Sequence, residues 1–224
     1  MSSSKVIGVL AIQGAVSEHV SCIEKLGYSC RQIRRADEFA EIDGLILPGG
    51  ESTTMAIVCE ESGLFPALRK WVHDKRPTYG TCAGMILLSD HAIKTADGGQ
   101  SLLGGLDVHV CRNYFGSQIY STKVDIEAAG EATTFPAVFI RAPAILRVGT
   151  EVQVLAKMTA APHKSARKDV LDLLGLDPNE PAEAFEVNVA VRQNNILATA
   201  FHPELTDDLR WHRLFLDIVD SVPS

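Results

Sequence analysis

Several residue patterns that mark common functional classes are missing from this 224-residue chain. It has no Cys-x-x-Cys pair and no His-Glu-x-x-His run, and its five cysteines are an odd, scattered set, which disfavours a disulfide framework or a compact zinc site. Lysine and arginine form no cluster interleaved with aromatic residues, and the net charge is −7. We therefore expect a cytoplasmic protein with no bound metal or other cofactor and no nucleic-acid partner.

Long apolar runs are missing as well. The first run, residues 6–12, stops at Gln13 before it reaches the length of a signal peptide, and no later stretch approaches a membrane span. We therefore expect no targeting segment and no membrane partner. The composition, 46% hydrophobic and 22% charged, is that of an α/β enzyme with a sizeable core, and we expect a single domain over residues 1–224.

Apolar strands alternate with helical patterns through the first half of the chain. Short apolar runs predict strands at 5–12, 28–33, 44–47 and 78–79, and the 3.6-residue pattern predicts helices after Gly14, from Ser52, at 65–73 and at 85–88. Continuous apolar strands alternating with helices favour a parallel sheet that is covered on both faces. The expected fold is therefore three-layer α/β, a mostly parallel central sheet flanked by helices with antiparallel additions.

The antiparallel additions are expected after Gly98, where turn residues separate shorter strands. These strands are predicted at 106–110, 119–126, 137–140, 152–155, 186–191 and 196–201. Residues 157–185 contain several prolines and a short helical motif at 170–174, and we interpret them as a surface insertion. A last helix is expected to be capped by Thr206, with Asp207 and Asp208 at its positive end.

Four polar segments follow predicted strands. They are Gln13-Gly14, Pro48 to Ser52, Gly80 to Gly84, and His202-Pro203-Glu204. Because ligands bind at the carboxyl ends of the strands in open α/β sheets, these segments predict a site at one edge.

The most informative segment places Cys82 between Gly80 and Gly84, where a strand gives way to a helix. Glycine allows a sharp turn before the thiol and close approach of a substrate after it, and a helix that starts there favours the thiolate. The alternative is a buried structural cysteine beside a tight turn.

His202 and Glu204 are the expected partners of that thiol. An imidazole that moves protons needs a third group to hold its tautomer and orientation, and residues two apart in an extended turn can point to the same side. The alternative is that His-Pro-Glu is only a turn that enters the last helix.

Backbone N–H groups around Gly49, with that of Ala83, could hold an oxyanion. The alternatives for this segment are a phosphate loop, which lacks the Gly-Lys-Ser/Thr ending, and a simple helix cap at Ser52. A zwitterionic amino-acid substrate would place its carboxylate on Arg112 and its ammonium on Glu51. Arg141 is a second candidate, although either arginine could instead make a surface ion pair.

Together these residues resemble the class I glutamine amidotransferases, which carry a Gly-x-Cys-x-Gly turn and a late His-x-Glu. The resemblance is closer still to the glutaminase subunits of pyridoxal 5′-phosphate synthase. It rests on several further segments: Gln13-Gly14-Ala15 with Glu18-His19, Leu47 to Thr53, Arg112-Asn113 with Phe115-Gly116, Phe139 to Pro143, and His202 to Thr206.

The resemblance implies that L-glutamine is hydrolysed to L-glutamate and ammonia, and that the ammonia passes to a separate synthase subunit. It implies that catalysis is carried by Cys82, His202 and Glu204, and that an oxyanion is bound by Gly49 or Gly50 and by Ala83. The implied contacts with glutamine are Gly50, Glu51, Ser52, Arg112, Ile140 and Arg141. The implied contacts with the partner are Gln13 and Gly14. Three other functions stay open at this point: a stand-alone cysteine hydrolase such as a peptidase, a binding module without turnover, and a glutaminase that serves another acceptor.

Overall fold

The computed structural model describes residues 5–93, 100–116, 122–129, 133–177 and 184–223. Its strands are β1 (Val6–Leu10), β2 (Ser29–Ile33), β3 (Gly44–Leu47), β4 (Thr78–Thr81), β5 (Ser89–Ile93), β6 (Leu106–Cys111), β7 (Thr122–Glu127), β8 (Thr134–Phe139), β9 (Ala144–Val148), β10 (Gln153–Ala160), β11 (Phe185–Gln193) and β12 (Ile196–Thr199). Its α-helices are α1 (Val16–Lys25), α2 (Ser52–Glu61), α3 (Leu64–His73), α4 (Ala83–Leu88), α5 (Arg167–Leu174) and α6 (Arg210–Ser221). Two 3₁₀ turns cover Ala36–Glu41 and Pro203–Leu205.

One large sheet runs through the molecule. Its strand order is β2-β1-β3-β4-β12-β11-β9-β6-β5, with β10 paired to β11. The run from β2 to β12 is parallel, whereas β11 pairs antiparallel with β12, β9 and β10. The strands β7 and β8 form a separate antiparallel hairpin. The predicted parallel sheet with antiparallel additions is therefore confirmed.

Strand β4 shows how helices cover both faces of this sheet. The Thr78 hydroxyl meets the Trp71 indole of α3, and Gly80 lies against α4. The alternate residues point the other way, since Tyr79 packs on α6 and Thr81 on His19 of α1. This alternation places one helical layer on each side of the central strands.

The structure corrects the predicted start of the last helix. Its N-cap residue is Leu209, and the Thr206 hydroxyl instead accepts the N–H of Asp208, while Asp208 accepts the N–H of Arg210. Thr206 therefore closes a turn before the helix. Strands β5 and β9 were not predicted, and residues 119–121 of the strand predicted at 119–126 lie outside the described residues.

Residues 157–185 continue β10, form α5 and lead into β11, apart from 178–183, which lie outside the described residues. Helix α5 buries Val170 and Leu171 completely or nearly so. The backbone N–H of His163 donates to Tyr114 O at 2.7 Å, and the Tyr114 hydroxyl donates to Ala160 O at 2.7 Å. The segment thus packs on the loop that follows β6. Across the described ranges, no helix combines the length and apolar character needed to cross a bilayer.

Candidate active site

Cys82 lies in a strained turn between β4 and α4. Its backbone has φ +47° and ψ −101°, a left-handed conformation that costs a non-glycine residue about 1–3 kcal/mol. The turn is held by two hydrogen bonds, from the Cys82 N–H to Thr199 O at 2.8 Å and from the Ile86 N–H to Cys82 O at 3.1 Å. Both neighbouring glycines are needed for packing, because a Cβ at Gly80 would lie 2.7 Å from the α4 backbone and one at Gly84 would overlap the carbonyl of Leu47. The sequence thus presents its thiol on a sharply bent backbone.

The imidazole of His202 is paired with a carboxylate and shares a cleft with the thiol. Its Nδ1 lies 2.7 Å from Glu204 Oε1, and its ring and the side chain of Cys82 line the same cleft. Burial lowers the pKa of His202, but the hydrogen bonds to Cys82 and Glu204 outweigh it and raise that pKa to about 10. Burial raises the pKa of Glu204, whereas the nearby His19 and the hydrogen bond from His202 bring it below its usual value. The three side chains can therefore hold a proton on the imidazole, between sulfur and carboxylate.

Gly49 supports the imidazole from the other side. A Cβ at this position would overlap His202 Cε1 and would lie 2.8 Å from Nδ1. The carbonyl of Gly49 accepts the N–H of Ala15 at 3.3 Å, which ties the loop to the start of α1. Ala83 is the first residue of α4, where an N–H has no acceptor within the helix. The N–H of Ala83, next to Cys82 in the chain, and that of Gly49, beside the imidazole, are the two donors expected for an oxyanion.

A charged pair lies at the start of α2. Glu51 caps the helix by accepting the N–H groups of Thr53 at 3.2 Å and Thr54 at 2.7 Å. Partial burial raises the pKa of Glu51, but the hydrogen bonds from Thr54 and Thr53 bring it below its usual value. Arg112 reaches Glu51 Oε1 at 3.5 Å and donates to Thr53 Oγ1 at 2.8 Å. A cation and an anion therefore stand side by side, which suits a zwitterion.

A cleft of about 390 Å³ joins these groups. Its lining includes most of the predicted residues: Gln13, Gly14, Gly49, Gly50, Glu51, Ser52, Cys82, Arg112, Ile140, Arg141 and His202. Glu204 and Ala83 lie outside this lining, Glu204 with its side chain wholly buried behind His202. Ile140 and Leu205 are exposed large hydrophobic residues at the cleft. Most of the residues that the sequence singled out therefore lie in the wall of one cleft.

Three polar residues near the site have positions that the sequence did not predict. Gln100 accepts the Ser52 hydroxyl at 2.9 Å, so Ser52 already has a protein partner. His19 and His212 lie behind Glu204, and their ring nitrogens are 2.9 Å apart. His19 does carry a detectable signal, because it falls on the apolar face of α1 with Val16 and Ile23, where a polar side chain must be buried.

Fold and site together define a class I glutamine amidotransferase, with a cysteine on a strand-to-helix turn and a histidine and a glutamate at a neighbouring strand end. Residues 9–221 match the model of the SNO glutamine amidotransferase family. The chain belongs to this family.

Similar proteins extend over nearly the whole chain. A protein of Arabidopsis thaliana named "Probable pyridoxal 5′-phosphate synthase subunit PDX2" is 45% identical over 222 residues, which cover 96% of this chain and 86% of that protein. The pyridoxal 5′-phosphate synthase subunit PdxT of Parafrankia sp. (strain EAN1pec) is also 45% identical, over 96% of this chain and 93% of that protein. The protein in a crystal structure of a glutamine amidotransferase is 36% identical and has a TM-score of 0.76, over 96% of this chain and 98% of that chain.

Proposed function

We propose that this chain is the glutaminase subunit of a pyridoxal 5′-phosphate synthase. It hydrolyses L-glutamine to L-glutamate and ammonia and passes the ammonia to a partner synthase subunit. One observation carries the proposal above all: His202, hydrogen-bonded to Glu204, lies with Cys82 in the wall of a cleft that also holds an arginine and a glutamate. The names and the identity of the similar proteins support the acceptor.

The reaction proceeds in two halves. Cys82 Sγ attacks the side-chain carboxamide carbon of glutamine, and the resulting oxyanion is held by backbone N–H groups near Gly49 and Ala83. His202 gives its proton to the departing nitrogen, so that ammonia leaves and a γ-glutamyl thioester remains on sulfur. His202 then takes a proton from water, whose hydroxyl adds to the thioester, and glutamate leaves as the thiol is restored. Glu204 keeps the imidazole oriented throughout.

The charged pair is proposed to orient the substrate. Arg112 takes the α-carboxylate and Glu51 the α-ammonium, which leaves the side-chain amide directed at Cys82. Arg112 has a buried Nε without a hydrogen-bond partner among the described residues, and a carboxylate would supply one. Gly50, Ser52, Ile140 and Arg141 complete the proposed contacts with glutamine.

A protein acceptor is expected on chemical grounds. Ammonia in neutral water is mostly protonated and no longer nucleophilic, so a useful donor must deliver it directly to a second active site. Gln13 and Gly14 at the cleft are the proposed partner contacts, and Gln13 Oε1 accepts the Glu51 N–H at 3.3 Å, which couples that rim to the substrate site. The exposed Ile140 and Leu205 add apolar surface there.

The decisive experiment measures ammonia release from glutamine with and without a candidate synthase subunit. Cys82→Ala removes the attacking sulfur and should lower the rate at least about a thousandfold. Cys30→Ala is the matched control, because Cys30 is a free thiol on β2, outside the cleft, and should keep wild-type turnover. Unchanged release in Cys82→Ala would refute the mechanism, and a rate that ignores the partner would refute the docking site.

We further propose a cytoplasmic location and a single glutaminase domain over residues 1–224, with residues 157–185 as an insertion. The five cysteines, all within the described residues, form no disulfide, and a reducing compartment keeps them so, the proposed nucleophile included. Two observations support the insertion. It packs on the loop after β6, and none of its described residues lines the cleft.

A further inference from the structure

One carboxylate oxygen of Glu204 is buried without a hydrogen bond among the described residues. Its other oxygen holds His202, so this orphan, Oε2, belongs to the group that orients the imidazole. Leaving a buried charged oxygen unpaired is costly, and the site must offset that cost nearby. The Nε2 atom of His19 faces Glu204 Oε2 at 3.5 Å and lies 3.2 Å from Thr81 Oγ1.

His19 comes from the middle of α1 and is wholly buried. Its Nδ1 lies 2.9 Å from Nε2 of His212 on α6, which is wholly buried as well. The Nδ1 atom of His212 has no hydrogen-bond partner within the described ranges. Two imidazoles from two helices thus form a line that ends at the carboxylate.

Only one tautomer of each ring satisfies this line. If His212 carries its proton on Nε2 and donates to His19 Nδ1, then His19 carries its proton on Nε2 and presents it to Glu204 and Thr81. The orphan Nδ1 of His212 is then a bare lone pair. The opposite assignment buries an unpaired N–H on His212 and turns a lone pair of His19 toward the carboxylate, which is repulsive.

Both rings are neutral at neutral pH. Burial lowers the pKa of His19 despite the opposing charge of Glu204, and burial lowers the pKa of His212 to about 3. The titratable groups that face this cluster from the surrounding elements are Glu18 and Cys22 of α1, Tyr79 of β4, and His202, Glu204 and Asp207 near the second 3₁₀ turn. A neutral donor supports the carboxylate without a second cation beside His202.

We propose that His19 is a positioning residue, whose Nε2–H holds the free oxygen of Glu204 so that the other oxygen stays aimed at His202, while His212 fixes the tautomer of His19. The line His212, His19, Glu204, His202 therefore extends the triad to a helix on the far side of the sheet. This inference rests on the proposed function, and its tests have readouts that do not require glutamine hydrolysis.

The first test is the tautomer itself, measured on the full-length wild-type chain by long-range ¹⁵N–¹H correlation of the histidine side chains. We expect both His19 and His212 to carry a single proton, on Nε2, at pH 7. A proton on Nδ1 of His19, or a doubly protonated His19, would overturn the proposal. This measurement needs no variant and is unaffected by folding defects.

The second test compares His19→Gln with His19→Asn. The amide nitrogen of glutamine can reach the position of Nε2, whereas that of asparagine reaches only the position of Nδ1. With asparagine, Glu204 and the His202 imidazolium are held less well, and the pH midpoint of Cys82 alkylation by iodoacetamide should rise by about one unit. Glutamine should restore most of this shift.

Tyr79→Phe is the control for a general defect of the core. It removes a buried hydroxyl that bonds Thr199 beside the same cluster, and it should leave the alkylation profile unchanged. With glutamine as substrate, His19→Asn should lower kcat about tenfold and leave KM within about twofold, since His19 does not line the cleft. Equal alkylation profiles in His19→Asn and wild type would refute the positioning role, whereas a wild type that reacts with iodoacetamide but not with glutamine would refute the proposed function alone.

Discussion

At the scale of single residues, Gly49 determines where the imidazole of His202 can lie. Any side chain at this position would overlap the ring. The ring cannot move aside, because it interacts with both Cys82 and Glu204. The absence of a Cβ at Gly49 is thus what leaves room for the imidazole.

We therefore expect Gly49→Ala to lower kcat about a hundredfold, because an imidazole displaced by about 1 Å loses its alignment with the thiol. KM for glutamine should change little, since Arg112 and Glu51 stay in place. Steady-state ammonia release measures both constants. Gly63→Ala, in open space before α3, is the control and should retain kcat; a Gly49→Ala enzyme with normal kcat would contradict the geometry.

Much of the site at this scale could be predicted from the sequence. Cys82, His202 and Glu204 each lie in a short local pattern. Nearby glycines allow the sharp turn at Cys82, and Pro203 restrains the backbone between His202 and Glu204. His19 and His212 belong to no such pattern with Glu204, because their contact depends on how α1 and α6 pack side by side on one face of the sheet. Contacts made only by packing leave little trace in local sequence.

At the scale of elements, helix α4 packs directly on the sheet because glycines, Gly80 of β4 and Gly84 of α4, lie at the contact. A Cβ at Gly84 would overlap the carbonyl of Leu47, and one at Gly80 would press on the Leu88 side chain at 2.7 Å. The close approach of α4 to β3 and β4 therefore fixes the turn that carries Cys82.

Gly84→Ala should destabilise the protein by about 1–3 kcal/mol, because the helix must move away from the β3 backbone. It should also reduce turnover, because Cys82 moves with the helix. Urea unfolding and the glutaminase assay measure the two effects. Gly63→Ala also loses stability, through its left-handed backbone, but should stay active. Full activity in Gly84→Ala would show that the turn does not depend on this packing.

Element boundaries followed the sequence where the pattern was long or apolar. The strands β1 to β4 and the helices α1 to α3 lie close to their predicted positions. Strand β5 opens with the polar residues Ser89, Asp90 and His91 directly after α4, and β9 includes Arg147 in a short apolar run, so neither shows the pattern of a buried or an alternating strand. The start of α6 was placed too early because Thr206 and Asp208 bond within a turn and so imitate a helix cap.

At the scale of the whole molecule, buried histidines make stability depend on pH in both directions. His19 and His212 have folded pKa values below the unfolded value of 6.5. As the pH falls below 6.5, these histidines bind protons in the unfolded chain but not in the folded chain, which lowers the free energy of unfolding. His202 has its pKa raised to about 10, so its contribution is complete below 6.5 and is lost as pH rises through 10.

The free energy of unfolding should therefore fall on both sides of near-neutral pH. On the acid side, each buried histidine contributes a slope of up to about 1.4 kcal/mol per pH unit. Urea unfolding between pH 4 and pH 9 measures this curve. His212→Gln should flatten the acid branch, whereas the same change at the exposed His73 should not. An acid branch unchanged in His212→Gln would show that His212 is not neutral in the folded protein.

The fold class was also predictable at this scale, because alternating apolar strands and helices leave few arrangements other than a covered parallel sheet. The order of the strands was not. β12 pairs with β4, although 120 residues of chain separate Tyr79 from Thr199, and such long-range pairing has no local signal.

The position of β12 beside β4 has a consequence for the time at which activity appears. Tyr79 and Thr199 touch across 120 residues of chain, and the same strand pair carries the thiol and leads to its imidazole. During synthesis, a ribosome must therefore release most of the chain before the two can meet. Refolding can be followed in the same way, because ammonia release reports the long-range pairing of β4 with β12 rather than the first collapse.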